Sequence, residues 1–374
     1  MRARRLLRVL PRLAVYFTLL GLVVFAPASS GATAKPLVIS AINAYAGAGS
    51  HVVFEGEMGP KNPPHFVLGT EGTWLQKFGS QKLKPIATPT SRPSGFCTND
   101  SAWEIMSVAL GPKGTTGCLT IGGGISETDV AVYVALPDGK TTHPVGLYYP
   151  GGAEDDTPGI RPGLVPALLG DGHFFGYLQI ASGGVMQLFR ITTAGTAKYV
   201  ADLTGLSSCG DKGEVCGNAA VDSGHIVIRQ ASSSDVHVFT TAGKPIATFT
   251  ANVSPISGAV AIRKDRIVTL NAHRLTVYTL SGELVHSHPV QAWVGSAVST
   301  YYGFAAYVGS SGKGVYVLKL SSGETREIVK VPGSSYAPIR TGSFSLQRSG
   351  LSVGRTGRTG FVYVPWKKLR AKFH

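Results

Sequence analysis

The feature that most constrains this chain is a spacing. Val238 in VHVFTTAGK, Val277 in LTVYTLSGE and Val317 in VYVLKLSSGE lie 39 and 40 residues apart. Each belongs to an apolar run that ends in a turn with Gly next to last. The cleanest copy is DRIVTLNAHRLTVYTLSGELVHSHPV, whose runs 266–270, 275–280 and 284–290 read as three short strands joined by turns at 271–274 and 281–283. A three-strand meander that recurs about every forty residues cannot bury its faces alone. Its copies must pack against one another, and a β-propeller is the architecture that does so.

Earlier copies are less regular. The runs 51–55, 65–68 and 73–78 form a first unit; 103–110, 118–121 and 130–136 a second; 173–180, 185–192 and 197–203 a third; 226–230, 235–240 and 245–250 a fourth. With the units around Val277 and Val317 and a last one over 343–353 and 360–365, the count is seven. The expected fold is therefore all-β, a propeller of seven four-stranded blades. Six or eight blades are the alternatives, because the first half is stretched relative to the second. The strand-like stretch 35–43 precedes the first unit and is expected to pair with the last blade, closing the ring by exchange and hiding two edges. The turns TTAGT, TTAGK, TLSGE and LSSGE end at Thr196, Lys244, Glu283 and Glu324. Late in a short hairpin loop, Gly takes a positive φ at no steric cost, as a type I turn with a following bulge requires.

The meander, its V-Y-V/T hairpin and its x-G-K/E turn resemble the secreted bacterial β-propellers of the WD40-like, TolB-like and PQQ-like superfamilies. The resemblance covers residues 40–366, and the turn Pro137-Asp138-Gly139-Lys140 is similar to that of TolB-like repeats. No unit carries a Gly-His with Trp-Asp pair, a kelch Gly-Gly or a Tyr-Trp-Thr-Asp motif. The resemblance implies a fold and no activity.

Residues 1–34 are read as a signal peptide, leaving 35–366 as propeller and 367–374 as a basic C-terminal tail. Arg2, Arg4, Arg5, Arg8 and Arg12 precede the apolar run 13–25, and Ala26-Pro27-Ala28 and Ala32-Thr33-Ala34 are cleavage signals. Export follows, to a secreted or cell-surface location. The alternative is an uncleaved anchor, although the run falls short of the roughly 20 residues that span a bilayer. The formal charge of +14 is unevenly placed. With five arginines in the leader and nine cations from Lys330 onward, the remaining 21 basic residues balance the 21 acidic ones. Positive charge concentrated at one end suits an anionic partner such as a wall polymer or lipid head group, a protein is the other expected partner, and export argues against nucleic acid. Arg355, Arg358, Lys367, Lys368 and Arg370 are the residues expected to make that contact, since paired guanidinium groups grip phosphate or carboxylate bidentately. A solubilising terminal segment is the competing explanation. A monomer is expected.

Cys97, Cys118, Cys209 and Cys216 are even in number and lack C-x-x-C spacing, which in an exported chain points to disulfides. Three pairings are open. Local pairing, Cys97 with Cys118 and Cys209 with Cys216, is the simplest.

No G-x-S-x-G elbow, H-E-x-x-H helix, P-loop or dinucleotide fingerprint occurs. Two metal candidates stand out. His286 and His288 fall on one face of a strand, where they could share an ion. Glu154, Asp155 and Asp156 sit in a Gly/Pro-rich loop and offer oxygens to calcium, the one cofactor the sequence suggests. Solvated side chains are the favoured explanation of both. The expectation is thus a non-catalytic binding propeller. The alternative is a lactonase, lyase or quinone-dependent dehydrogenase that assembles its site from single residues of several blades around the channel.

Overall fold

The computed structural model describes residues 37–48, 51–60, 70–80, 82–86, 103–122, 129–137, 145–148, 164–181, 185–206, 218–230, 233–253, 258–330, 344–354 and 361–373. They belong to one compact unit, Leu37–His374. Blade one is β1 (Leu37–Ala48), β2 (His51–Pro60), β3 (Thr70–Lys77) and β4 (Leu83–Pro85). Blade two is β5 (Trp103–Leu110), β6 (Thr116–Gly122), β7 (Asp129–Ala135) and β8 (Gly146–Tyr148). Blade three is β9 (Leu164–Gly170), β10 (Phe175–Ile180), β11 (Met186–Ile191) and β12 (Ala197–Leu203). Blade four follows as β13 (Ala219–Asp222), β14 (His225–Arg229), β15 (Asp235–Thr240) and β16 (Pro245–Thr250). Blade five is β17 (Ala259–Arg263), β18 (Arg266–Leu270), β19 (Arg274–Thr279) and β20 (Leu284–Pro289). Blade six is β21 (Val298–Tyr301), β22 (Phe304–Val308), β23 (Gly314–Lys319) and β24 (Thr325–Lys330). Blade seven has three strands, β25 (Phe344–Gln347), β26 (Gly350–Val353) and β27 (Val362–Pro365), and is followed by the helix α1 (Trp366–Arg370).

Every sheet is an antiparallel meander in chain order. The first strand of each touches the first strand of the next, and β25 returns to β1, so the seven sheets close a ring around these strands. The chain is a seven-bladed β-propeller.

Sequence follows position along each blade. Second and third strands such as β14 (HIVIR), β18 (RIVTL) and β22 (FAAYV) are buried on both faces because a neighbouring sheet covers each side. The outermost β16, β20 and β24 mix polar and apolar residues and are half-buried to exposed, with Val329 their one buried residue. Six apolar clusters each bridge two successive blades. Between blades two and three, for example, Ala109, Leu119, Val132 and Val134 meet Phe175, Tyr177, Phe189 and Ile191. Each such side chain contributes about 1.5–3 kcal/mol on burial.

The Gly-bearing turns join third strand to fourth, as their sequence predicts. Gly195, Gly243, Gly282 and Gly323 have φ of 77°, 78°, 89° and 75°. In blade four, Gly243 N donates to Thr240 O at 2.9 Å, and Thr240 N to Lys244 O at 2.9 Å; blades three and five repeat the pattern. The Thr240 and Thr279 hydroxyls accept from Lys244 N and Glu283 N, each at 3.1 Å.

Two expectations are corrected. The meanders read from sequence begin one strand late in blades three, four and five, at β10, β14 and β18. The omitted β13 and β17 are four or five residues of mostly small side chains, and β9 (LVPALLG) is an unbroken apolar run, so none shows alternation. Among the described residues closure by exchange is not seen: β1 pairs with β2 in its own sheet and lies beside β25 of blade seven.

Buried polar groups knit blades together. The Tyr177 hydroxyl donates to Val145 O at 2.9 Å, from blade three to blade two, and burial pushes this phenol up. His237 is buried in β15, its Nδ1 3.1 Å from Thr248 Oγ1, while its Nε2 lacks a partner. Desolvation lowers the His237 pKa, with Asp235 partly opposing. Tyr177→Phe should cost about 1 kcal/mol, read as a lower urea midpoint with unchanged slope. His237 gives a pH test. Below about pH 6.5 the unfolded chain takes up a proton that folded His237 resists, so stability is full above that pH and falls as pH drops through the depressed folded value. His51, lowered first by burial and then by Lys77, acts with the same sign. Thermal melts at pH 7.5 and 5.5 should show a smaller difference for His237→Asn than for the parent.

Candidate functional site

One end of the ring is formed by the hairpins between first and second strands. In blades four, five and six these turns place Ser223, Lys264 and Tyr302 at φ of 50°, 54° and 48°. Such left-handed residues are costly unless the hairpin demands them, and each lies at the tip of its turn.

Asp222, nearly buried, organises this end. Its Oδ1 accepts from Arg263 Nη1, and its Oδ2 accepts from Lys264 N at 2.8 Å and from the Ser223 hydroxyl. Blade four thus clamps the turn of blade five. The Arg263 guanidinium in turn lies over the Tyr301 ring of blade six, 4.0 Å from its centroid. Burial is the main cause raising the Tyr301 phenol. Tyr302 stands edge-on to Tyr301 at 4.5 Å and to Trp366 at 5.7 Å, and is 55% exposed.

The helix α1 leaves β27 at the same end. Trp366 Nε1 donates to Gln347 O at 2.8 Å, and its ring lies 5.8 Å from Tyr301. Leu369 is fully buried and Phe373 packs 5.1 Å from Phe304, both in the cluster shared by blades six and seven. The segment expected to be a basic tail is therefore in part a docked helix that occupies the end of the three-stranded blade. Its apolar residues turn inward, so Lys367, Lys368, Arg370 and Lys372 point out. Arg370 lies 5.6 Å from the Trp366 ring and 5.7 Å from Tyr302.

Lys264 and Arg348, exposed at the turn tips of blades five and seven, lie at the same end of the ring as the four exposed cations of the C-terminal segment, of which Arg370 sits beside both Tyr302 and Trp366. The two carboxylates of the turns involved are already engaged: Asp222 as described, and Asp265 with Arg266 at 2.7 Å. Cations beside partly exposed aromatic faces, with no free acid among the described residues of these turns, can take a multivalent anion.

The remaining sequence candidates separate. His286 and His288 do share one face of β20, ring centroids 5.8 Å apart. His288 Nε2 donates to Leu320 O at 2.8 Å, joining blade five to blade six, which leaves only Nδ1 of that ring. Among the described residues no group of three or more His, Cys, Asp or Glu is placed to hold a metal. Cys118 is fully buried in β6 and disulfide-bonded. Cys97, Cys209, Cys216, Glu154, Asp155, Asp156, Arg355 and Arg358 lie outside the described residues, as does the leader. Sequence reasoning missed Lys264, Tyr302 and Trp366 as rim residues. The available signal was the pair preceding the second strand, Ser223-Gly224 or Tyr302-Gly303, which marks a hairpin tip.

No family model matches the chain, and no curated protein does. Among solved structures it is similar to Hsv2 of Kluyveromyces lactis with loop 6CD replaced by a Gly-Ser linker, at 13% identity over 85% of this chain and 89% of that one, TM-score 0.48. It is also similar to a catalytically inactive variant of virginiamycin B lyase from Staphylococcus aureus with quinupristin, at 10% identity over 88% and 94%, TM-score 0.48. A third similar structure is a nidogen/laminin complex, at 10% identity over 78% and 92%, TM-score 0.42. At these values the likenesses assign no activity.

Leu369→Ala should cost about 2–5 kcal/mol in chemical denaturation. Lys368→Ala, one residue away on the outer side, should leave the midpoint within about 0.5 kcal/mol of the parent. Equal, small effects would mean that α1 is not docked.

Proposed function

We infer that the protein is an exported binding module that holds an anionic cell-surface polymer on the rim formed by blades five to seven and α1. The observation that carries this reading is that Lys264, Arg348, Lys367, Lys368, Arg370 and Lys372 are exposed at one end of the ring, with Arg370 beside Tyr302 and Trp366 and with Asp222 and Asp265 already paired. A phosphate- or carboxylate-bearing polymer presents repeated charge, and a fixed rim can meet several of its groups at once. The Arg370 guanidinium, beside two rings, is suited to planar bidentate pairing with such groups. Export, read from the arginines and apolar run of the leader, brings the module to that polymer. An acidic protein is the competing occupant.

The test is binding of the purified mature protein to an immobilised phosphate-rich wall polymer at low and high salt. The triple variant Lys367→Ala, Lys368→Ala, Arg370→Ala should bind about tenfold more weakly, a loss of about 1.4 kcal/mol, and parent binding should fall as salt screens the contacts. Equal retention of parent and variant, or salt-independent binding, refutes the reading. Amino-terminal sequencing of the exported protein should start after Ala28 or Ala34; a start at Met1 would favour the anchored alternative.

A further inference from the structure

A second concave feature lies away from the rim. A cleft of about 560 Å³ opens between blades five and six beside a smaller one of about 410 Å³, and the two share His273, Gln291 and Ser310. The turn carrying Ser310 joins β22 to β23, whereas the rim turn carrying Tyr302 joins β21 to β22. The cleft mouth and the rim are thus at opposite ends of β22, and the cleft is independent of the proposed rim function.

Three segments build it, and backbone hydrogen bonds lace them together. Ala292 N donates to Ala272 O at 2.9 Å, Ser310 N to Gln291 O at 3.0 Å, and Trp293 N to Val308 O at 2.9 Å. The Ser296 hydroxyl accepts from Val308 N at 3.0 Å, fixing the far side of the Trp293 turn. The connection from β20 to β21 is therefore held between two hairpins. Tyr316 is fixed as firmly. A Cβ built on Gly309 would lie 2.3 Å from its ring, so the ring rests directly on glycine backbone. Tyr307 lies nearly parallel to it, centroids 6.0 Å apart and planes at 21°.

The lining decides the ligand chemistry. Tyr316 and Trp293 supply aromatic surface, while Gln291, His273, Ser310 and Ser311 supply an amide, an imidazole and two hydroxyls. Among the described residues no Asp, Glu, Lys or Arg lines either cavity. An anion would find no cation here, and a purely apolar ligand would strip water from the amide and hydroxyls without replacing their hydrogen bonds. A neutral sugar ring satisfies both halves: its C–H face lies on an aromatic ring, and its hydroxyls pair with the amide, imidazole and serines. The volume is within the range of about 300–1,000 Å³ usual for small-molecule sites. We propose that the cleft between blades five and six binds a neutral saccharide, with Tyr316 as stacking platform and Gln291 as the main hydrogen-bonding group.

The experiment exposes the full mature protein to an array of neutral glycans and then titrates it calorimetrically with cello-, chito- and malto-oligosaccharides. Saturable binding to at least one neutral glycan is expected. Tyr316→Ala and Gln291→Ala should each weaken it about tenfold, and Tyr316→Phe, which keeps the ring, should retain it. Gln291 is an exposed connector residue, so its variant tests the site even if Tyr316→Ala unfolds; melting curves identify that case. The rim triple variant should bind the glycan like the parent, which separates this proposal from the rim reading. No saturable binding across the array, binding of charged glycans alone, or full affinity in Gln291→Ala with folded Tyr316→Ala would overturn it.

Discussion

The structure depends on sheets that have no core of their own. Val268, Leu275 and Val277 of blade five are buried only because Ala305, Tyr307 and Leu318 of blade six lie against them. The same holds around the ring, where Val53 of blade one meets Val108 and Cys118 of blade two, and Val315 of blade six meets Leu346 and Leu351 of blade seven. Removing one blade would leave two apolar faces in water, so the ring has to close. This explains why apolar residues occupy both faces of the middle strands, and why polarity returns only at the outermost strand, whose edge meets solvent.

Polar links between blades are few and specific. Asn218 Nδ2 donates to Gly258 O at 2.7 Å from blade four to blade five. The chain from Asp222 through Arg263 to Tyr301 crosses three blades and orients the turn tips that make the cation rim. The His288 contact with Leu320 fastens the outer side of blades five and six, close to the cleft. Function on this scaffold is therefore a matter of the ends of blades. The sheets are saturated by packing, and what varies is the side chain that each hairpin presents.

What the sequence made legible follows from which signals are local. The turn closing TTAGK needs a Gly at positive φ and a Thr whose hydroxyl caps the loop, and both are written in five residues. The inner strand AVAIR carries no such mark, because its two faces see the same apolar surroundings and its alternation vanishes. Tyr302 was invisible as a partner because its proximity to Trp366 and Arg370 arises from ring geometry. The basic end itself was legible as composition, since cations unaccompanied by acids stand out in any count. That α1 would dock was not, although Leu369 in the helix and Phe373 just after it are the two apolar residues among the cations that bury against blades six and seven.

The three-stranded last blade has one more consequence. Where the chain ends meet, Phe361 N donates to Gln76 Oε1 at 3.2 Å and Tyr363 packs 4.5 Å from Phe78, while each blade keeps its own strands. Among the described residues the ring is fastened as a clasp is, by fitted surfaces and a hydrogen bond, and no strand is shared between its two ends. Gln76 and Phe78 therefore belong as much to blade seven as to blade one, and a substitution at either has to be matched at the far end of the chain.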